Sequence, residues 1–348
     1  SSVRGAGYKF INMGEIFAYN RIGNIETELV QLNEKEKKEM TLQKNDLLFA
    51  RQSLVFSGAG KCSIMLDVED VVSFESHLIR TRLNSEIANP MFYYYYFSLP
   101  YNSVKTIVQQ CAQAGIRGSD LEKIKVPCPH IEIQNQIADI LSTYDDLIET
   151  NNRRIELLEQ TAKELYKEWF VRFRFPGYEN AKFENGLPEG WNVVKLGDYV
   201  DIKGGKRLPE GKTLCGRITE HPYIRIRDIT ASKFISLTNS FEYIDDETFD
   251  IIQRFTVNTN DILISIVGTI GAIACVGKSL NRANLTENCV KLINVRYFTN
   301  SFLYHFLNSD AGKGAIQAGI VGATQPKLPL YNIKRIKLLK SILCDYIE

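Results

Sequence analysis

The feature that most constrains this chain is that it repeats itself. "TLQKNDLLFA" (41–50) matches "TVNTNDILIS" (256–265), with Asn45-Asp46 aligned on Asn260-Asp261 ahead of an apolar run. A glycine corner follows in each copy, "SGAGKCSI" from Ser57 and "GTIGAIACVG" from Gly268. Then "FESHLIRTRLN" (74–84) matches "TENCVKLINVR" (286–296), each a polar start running into an alternating strand. The aromatic-rich helices "NPMFYYYYFS" (89–98) and "NSFLYHFLNS" (300–309) come next, with asparagine placed at the cap and Pro90 at the first helical position. Last, "GIRGSDLEKIKVPCP" (115–129) is set against "GATQPKLPLYNIKRIKLL" (322–339), a polar loop leading into a strand. A chain duplicated in this way must build the same core twice, so two like domains are expected in place of one large one.

The repeat also resolves a local ambiguity. Gly277-Lys278-Ser279 ends a glycine-rich run and invites comparison with a phosphate-binding loop. The spacing fails, because the required glycine falls on Ala272, Gly271 is one place early, and the residues after Ser279 carry no helical stripe. The first copy has a similar corner without that spacing, so a structural turn between strands is expected.

Between the copies lies the longest helix. From Ile131 to Phe170 there is neither Gly nor Pro, and Ile133, Ile137, Ile140, Tyr144, Leu147, Asn151, Leu158, Ala162, Leu165 and Trp169 follow a seam of four- and three-residue steps. This predicts a helix packed along its length against a partner, a rod of about 60 Å at about 1.5 Å per residue. Asn151 and Arg154 interrupt the seam, and a polar residue there fixes register at some cost in stability. Pro176-Gly177 ends the helix, and "FRFPGYENAKFENGLPEGW" (173–191) reads as a linker. The second copy has a lead-in, "LPEGWNVVKLGDYVDIKGGKRLPEG" (187–211), so the first is expected to lack roughly 35 residues at its start. The final "CDYIE" falls where the first copy runs into its helix.

A net charge of +1 conceals a division: residues 177–341 hold 21 Lys and Arg against 16 Asp and Glu, and residues 130–176 hold 6 against 9. The basic second part permits a nucleic-acid partner without demanding one. "SSVRGAGYKF" has no apolar core and no apolar run reaches membrane-spanning length, so a cytoplasmic protein without a membrane partner is expected. Seven scattered cysteines (Cys62, Cys111, Cys128, Cys215, Cys275, Cys289, Cys344) are expected to be reduced and mostly buried. Four histidines (His77, His130, His221, His305) lack ligand spacing, so no metal site is expected.

Catalytic groups are missing from the pattern. "ANPMF" (88–92) and "SLPY" (98–101) partly match the Asn/Asp/Ser-Pro-Pro-aromatic loop of amino-methyltransferases, yet Met91 and Leu99 replace one proline of the pair and no glycine-rich cofactor loop precedes them. A helix start and a helix end are expected there. Asp145-Asp146 and Asp245-Asp246 read as solvated faces. Binding residues stand out more: Arg51, Gln52, Lys61 and Arg117 in the first copy, and Lys203, Lys206, Arg207, Arg225, Arg227, Lys233, Arg282, Gln325 and Lys327 in the second, lie in or beside loops. Arginine discriminates guanine and glutamine adenine, whereas lysine mostly meets phosphate. For each, an ordinary solvated side chain is the alternative. In "DIKGGKRLPEGK" (201–212) glycines stand beside Lys203, Lys206 and Arg207, which suggests close backbone approach to a ligand.

The order of repeat, long helix and repeat resembles the specificity subunit of a type I restriction-modification enzyme. The likeness rests on "LPEGWNVVKLGDYVDIKGGKR", "PYIRIRDI", "NDILIS" with its glycine corner, and "VPCPHIEIQNQIADILSTYDDLIETNNRRIELLEQTAKELYKEWF", and it spans nearly the whole chain. It implies an α+β fold of two similar target recognition domains joined by a long coiled-coil-type helix. The first domain would cover 1–129 (incomplete at its start), the spacer helix 130–175, a linker 176–186, the second domain 187–341, and the start of a second conserved helix 342–348.

The resemblance further implies a non-catalytic subunit, each domain reading one half of a bipartite double-stranded DNA site. It would recruit adenine methyltransferase subunits, which hold S-adenosylmethionine, and motor-nuclease subunits; no cofactor is implied for this chain itself. In the family the spacer helix pairs antiparallel with one that follows the second domain. Here the sequence ends as that helix begins, which truncation, a partly described chain or a helix lent by a second copy would each explain. Two competing functions are a protein-interaction scaffold that dimerises through the helix and a catalytic methyltransferase-nuclease fragment.

Overall fold

The computed structural model describes residues 4–68, 70–110, 113–229, 233–341 and 343–344. The chain divides into two compact units, Ser1–Asn152 and Arg153–Glu348, and the division falls inside the long helix, beside Asn151.

In the first unit Leu47–Ala50 and Cys62–Met65 are buried at every position: the first is a continuous apolar run, and in the second the one polar residue, Ser63, donates its hydroxyl to the carbonyl of Tyr19 (2.8 Å). They form the centre of a four-stranded sheet ordered Arg21–Ile22, Cys62–Met65, Leu47–Ala50, Leu78–Thr81. Leu47, Phe49 and Ile64 face the aromatic helix Pro90–Ser98, where Phe97 meets Phe49 edge-on at 5.1 Å. Leu48, Ala50 and Met65 face the other way, onto Ile11, Ile16 and Phe74. Asn89 caps the aromatic helix, its Oδ1 accepting from the N–H groups of Met91 (2.8 Å) and Phe92 (3.1 Å), and Leu99 is its C-cap. "ANPMF" and "SLPY" are thus the two ends of one helix.

The second unit repeats this register. Ile262–Ser265 pairs antiparallel with Ile273–Val276 and Cys289–Ile293, as Leu47–Ala50 does with Cys62–Met65 and Leu78–Thr81. The ladders make Arg80 equivalent to Lys291: Arg80 donates to the carbonyl of Thr41 (2.9 Å), and Lys291 donates to that of Thr256. Gly60 and Gly271 are equivalent too, each at positive φ with its N–H on the carbonyl of Ala50 (2.8 Å) or Ser265 (2.9 Å). The lead-in supplies a fifth strand, Asp201–Gly204, paired with Cys289–Ile293; the first unit has no counterpart among the described residues. Gly277-Lys278-Ser279 closes the strand Ile273–Val276 in a short turn. A Cβ at Gly277 would press on the carbonyl of Ile235, and Ser279 Oγ accepts from Leu237 N–H (2.9 Å), so the corner is structural.

Three expectations about the repeat shift. The ladders move the third matched block by one residue, setting Arg80 on Lys291 in place of Leu292. The second aromatic helix, Asn300–Asn308, is capped by Thr299, whose Oγ1 accepts from Phe302 N–H (3.0 Å), so Asn300 is its first residue and not its cap. In the last repeat block, Ile116 N–H donates to Arg51 and Leu328 N–H to Ile266, both at 2.9 Å. The pairings within each unit therefore make Gly115 equivalent to Lys327, Gln109 to Val321 and Gln113 to Gln325, in place of Gly115 to Gly322.

The long helix runs Ile131–Tyr166 and continues as a widened turn over Lys167–Val171. Its inward side is polar at the start: buried Gln134 donates to the carbonyls of Ile87 (3.0 Å) and Pro129 (2.8 Å) and accepts from Asn89 N–H (2.9 Å). Asp145 and Asp146 are not simply solvated. They and Glu149 surround the buried Arg21 guanidinium, and Tyr95 Oη donates to Asp145 (2.8 Å). Asp245 likewise caps the helix Asp246–Ile252, accepting from Thr248 N–H (2.7 Å). In the second unit Tyr166 and Phe170 enter the core beside Phe302. The seam Ile133, Ile137, Ile140, Tyr144, Leu147, Leu158 and Leu165 stays exposed, with Asn151 exposed and Ala162 and Trp169 half-buried. It is not covered by described residues of this chain. The stretch read as a linker folds into a hairpin of Phe183–Glu184 with Leu187–Pro188, and Trp191 packs on Phe170, Phe173 and Phe175. The helix start expected over 342–348 lies, apart from Leu343 and Cys344, outside the described residues.

Candidate nucleic-acid interface

In the first unit, the hydrogen bonds that fix the backbone of Arg51 leave its side chain at the surface: its N–H donates to His77 and its carbonyl accepts from Ile116, both at 2.9 Å. Gln52–Ser53 then pairs with Ala114–Gly115, which pairs with Gln109–Gln110. This small sheet brings Arg51, Gln52 and Arg117 together with Gln109 and Gln113 around a cleft of about 200 Å³. An adjoining cleft of about 430 Å³ shares Gln52 and Gln113 but is walled by Met13, Phe17, Leu54 and His77. The sequence missed Gln109 and Gln113, since only pairing across the unit sets them beside Arg51. Lys61 is drawn elsewhere: its Nζ donates to the carbonyl of Phe17 (3.0 Å), lies 5.5 Å from that ring, and has its pKa lowered by burial.

In the second unit many of the predicted cations are already engaged. Arg225 and Arg227 share Glu242, Arg227 at 3.1 Å, and Arg227 also lies 3.7 Å from Asp228. Arg207 Nε meets Glu287 at 2.9 Å; burial pushes the Glu287 carboxyl up, but the hydrogen bonds from Arg207, its own N–H and Thr286 hold it below the usual range. Lys206 lies 5.8 Å from the ring of Phe255. Lys233 donates to Ser301 Oγ (2.7 Å) between the rings of Phe234 and Tyr304, so it joins the aromatic helix to its strand. Arg282, in a left-handed turn, covers Phe249 at 5.9 Å. Lys203, Gln325 and Lys327 are exposed, and Lys327 pairs with Val267 at the glycine corner. Of the paired glycines in "DIKGGKR", Gly205 serves the fold: a Cβ there would overlap the carbonyls of Leu285 and Thr286, while Gly204 has open space.

Arginine forks and glutamine amides converging on surface clefts suit base edges, and the lysines around them suit phosphates. Among the described residues no cluster of His, Cys, Asp and Glu could hold a metal ion, and no helix is long and apolar enough to cross a membrane.

The family model described as type I restriction modification DNA specificity domain matches residues 4–160 and again 188–339. The chain is 26% identical over 306 residues to the type I restriction enzyme MjaVIII specificity subunit of Methanocaldococcus jannaschii, covering 85% of this chain and 69% of that protein. It is 28% identical over 278 residues to the putative type I restriction enzyme MjaX specificity subunit of the same organism, covering 72% of this chain and 57% of that one. In fold it is similar to the crystal structure of the S subunit of a type I restriction-modification system from M. genitalium, with TM-score 0.53, 16% identity, and coverage of 99% of this chain and 84% of that one. With its domain model matched twice, once in each half, the chain belongs to the type I restriction-modification specificity family.

Proposed function

We propose that each unit reads one half of a bipartite double-stranded DNA site, and that the chain does so without catalysing a reaction, in a cytoplasmic complex with adenine methyltransferase and motor-nuclease subunits. One observation carries this reading: the two units share the pairing register of their three central strands while their outward corners differ. Where the first unit has Arg51, Gln52, Gly115 and Arg117, the register gives the second Ile266, Val267, Lys327 and Pro329. Readers of two different half-sites need like frames and unlike loops, because loop side chains can change without loss of the core.

The exposed helix seam supports pairing with a second helix, from this chain or from another copy, which would tie the half-sites to a set spacing. Lengthening the helix near Asn151 by one or two turns is then expected to change the spacer and leave both half-sites unchanged. S-adenosylmethionine belongs in this scheme to the methyltransferase subunit.

Two measurements test the function. Binding of the full chain to duplex DNA is expected to weaken linearly in log affinity against log salt, with a slope of about −0.9 per phosphate neutralised. Methylation sequencing of a host with and without the gene is expected to reveal one bipartite motif that depends on it. Weak, salt-insensitive binding would favour the protein scaffold, and S-adenosylmethionine binding by the isolated chain would favour a catalytic fragment.

A further inference from the structure

The glycine corner differs between the units in length as well as in chemistry. It runs over residues 51–61 between strands Leu47–Ala50 and Cys62–Met65, but only over 266–272 between Ile262–Ser265 and Ile273–Val276. Gly60 and Gly271 are equivalent, so the extra residues of the first unit fall between Gln52 and Gly60. They hold an exposed apolar run, Leu54, Val55 and Phe56, with Leu54 86% exposed. A leucine held so far into solvent contributes little to the core of its own unit. It lines the same cleft as Gln52, so an amide and an apolar side chain border one surface cleft.

That pairing of chemistries matches one base pair. In the major groove adenine offers an acceptor and a donor that an amide can bridge, and thymine offers a methyl group that takes apolar contact. Gln113 does not distinguish the units, because the register sets Gln325 at the same place in the second. Gln52 does, since Val267 takes its position, and Leu54 falls in the part of the corner by which the first unit is longer.

We propose that the first unit reads an A·T pair in the major groove, the adenine through the Gln52 amide and the thymine methyl through Leu54, and that this corner distinguishes its half-site from that of the second unit. The inference rests on the DNA-reading function proposed above.

The test is selection of a random duplex library by the full chain and by its Gln52→Ala and Leu54→Ser variants, followed by affinities for the selected duplex with each thymine replaced in turn by uracil. Both side chains are exposed, and preference at the second half-site reports in the same experiment that the variants fold and bind DNA. Expected are a preference for A·T at one position of one half-site, reduced roughly 5- to 150-fold by Gln52→Ala. One uracil in that half-site is expected to weaken wild-type binding about fourfold, the worth of one methyl group, and to leave Leu54→Ser unaffected. Unchanged preference in Gln52→Ala, no uracil effect in the wild type, or loss at both half-sites together overturns the inference while the DNA-reading function stands. Failure to enrich any sequence overturns that function itself.

Discussion

Asn45 and Asn260 hold the same left-handed backbone, φ +70° in each, one residue ahead of a buried aspartate. Asp46 accepts from Gln43 N–H (2.7 Å) and Asp261 from Asn258 N–H (2.8 Å), so the turn that starts the central strand is built identically in both units. A β-branched residue is strained at positive φ, whereas glycine adopts it freely. Asn45→Val and Asn260→Val are each expected to cost about 1–3 kcal/mol and the glycine variants close to nothing, read from urea midpoints. Tolerance of valine at either position would show that the turn is not under that constraint.

Gly204 and Gly205 differ in their surroundings, the first having open space and the second packed against backbone. Only Gly205 lies against the carbonyls of Leu285 and Thr286, so Gly205→Ala is expected to destabilise the second unit by about 1–3 kcal/mol while Gly204→Ala stays within about 0.5 kcal/mol. Equal stability of the two in thermal unfolding would contradict the packing role.

These two cases show what the sequence made legible. Duplication and the corner are readable because buried frames repeat, Asn45-Asp46 and Asn260-Asp261 being fixed by local geometry that leaves few other choices, and the long helix because its apolar residues recur in steps of three and four without Gly or Pro. Residues serving the surface carry no such constraint. The last repeat block reads one way in sequence because Gly115 and Gly322 look alike, and only the backbone pairing within each unit shows that Gln113 is the equivalent of Gln325. Arg225 and Arg227 read as free cations because Glu242, which engages both, is distant in sequence. The acids on the long helix read as solvated because Arg21 reaches them from the far end of the same unit.

Arg21 has 7% of its side chain exposed, while Asp145, Asp146 and Glu149 remain partly in water. Removing the cation leaves carboxylates that water can solvate; neutralising the carboxylates leaves a buried charge without a counterion. Arg21→Met is therefore expected to cost about 1–2 kcal/mol, and the combined Asp145→Asn, Asp146→Asn, Glu149→Gln variant more, about 3–5 kcal/mol. Urea denaturation of both variants checks the order, and the reverse order would place the main cost elsewhere.

The helix seam offers the opposite case, apolar side chains whose loss leaves the fold intact. Leu147 is 53% exposed and Leu158 69%. Leu147→Asp and Leu158→Asp are expected to leave unfolding within about 0.5 kcal/mol of wild type. If a second copy of the chain covers the seam, as proposed above, sedimentation over a concentration series is expected to show weakened self-association in both variants. Large destabilisation of the isolated chain would mean that the seam belongs to its own core.

His305 gives the second unit a dependence on pH. Burial, with the Lys233 ammonium adding to it, lowers the imidazole pKa to about 4 from an ordinary 6.5, and its Nε2 has no hydrogen-bond partner among the described residues. The unfolded chain binds a proton at this ring as pH falls through 6.5, and the folded unit does not until about 4. Stability contributed by the neutral ring is therefore complete above pH 6.5, declines between 6.5 and about 4, and then levels off. Carboxylates also titrate in that window, so the contribution is isolated by difference: His305→Gln, which has no titrating ring, is expected to lose less stability than wild type between pH 7 and 5 in urea unfolding. Parallel pH profiles for the two proteins would mean that the ring is solvated in the folded unit and that its burial beside Lys233 does not hold in solution.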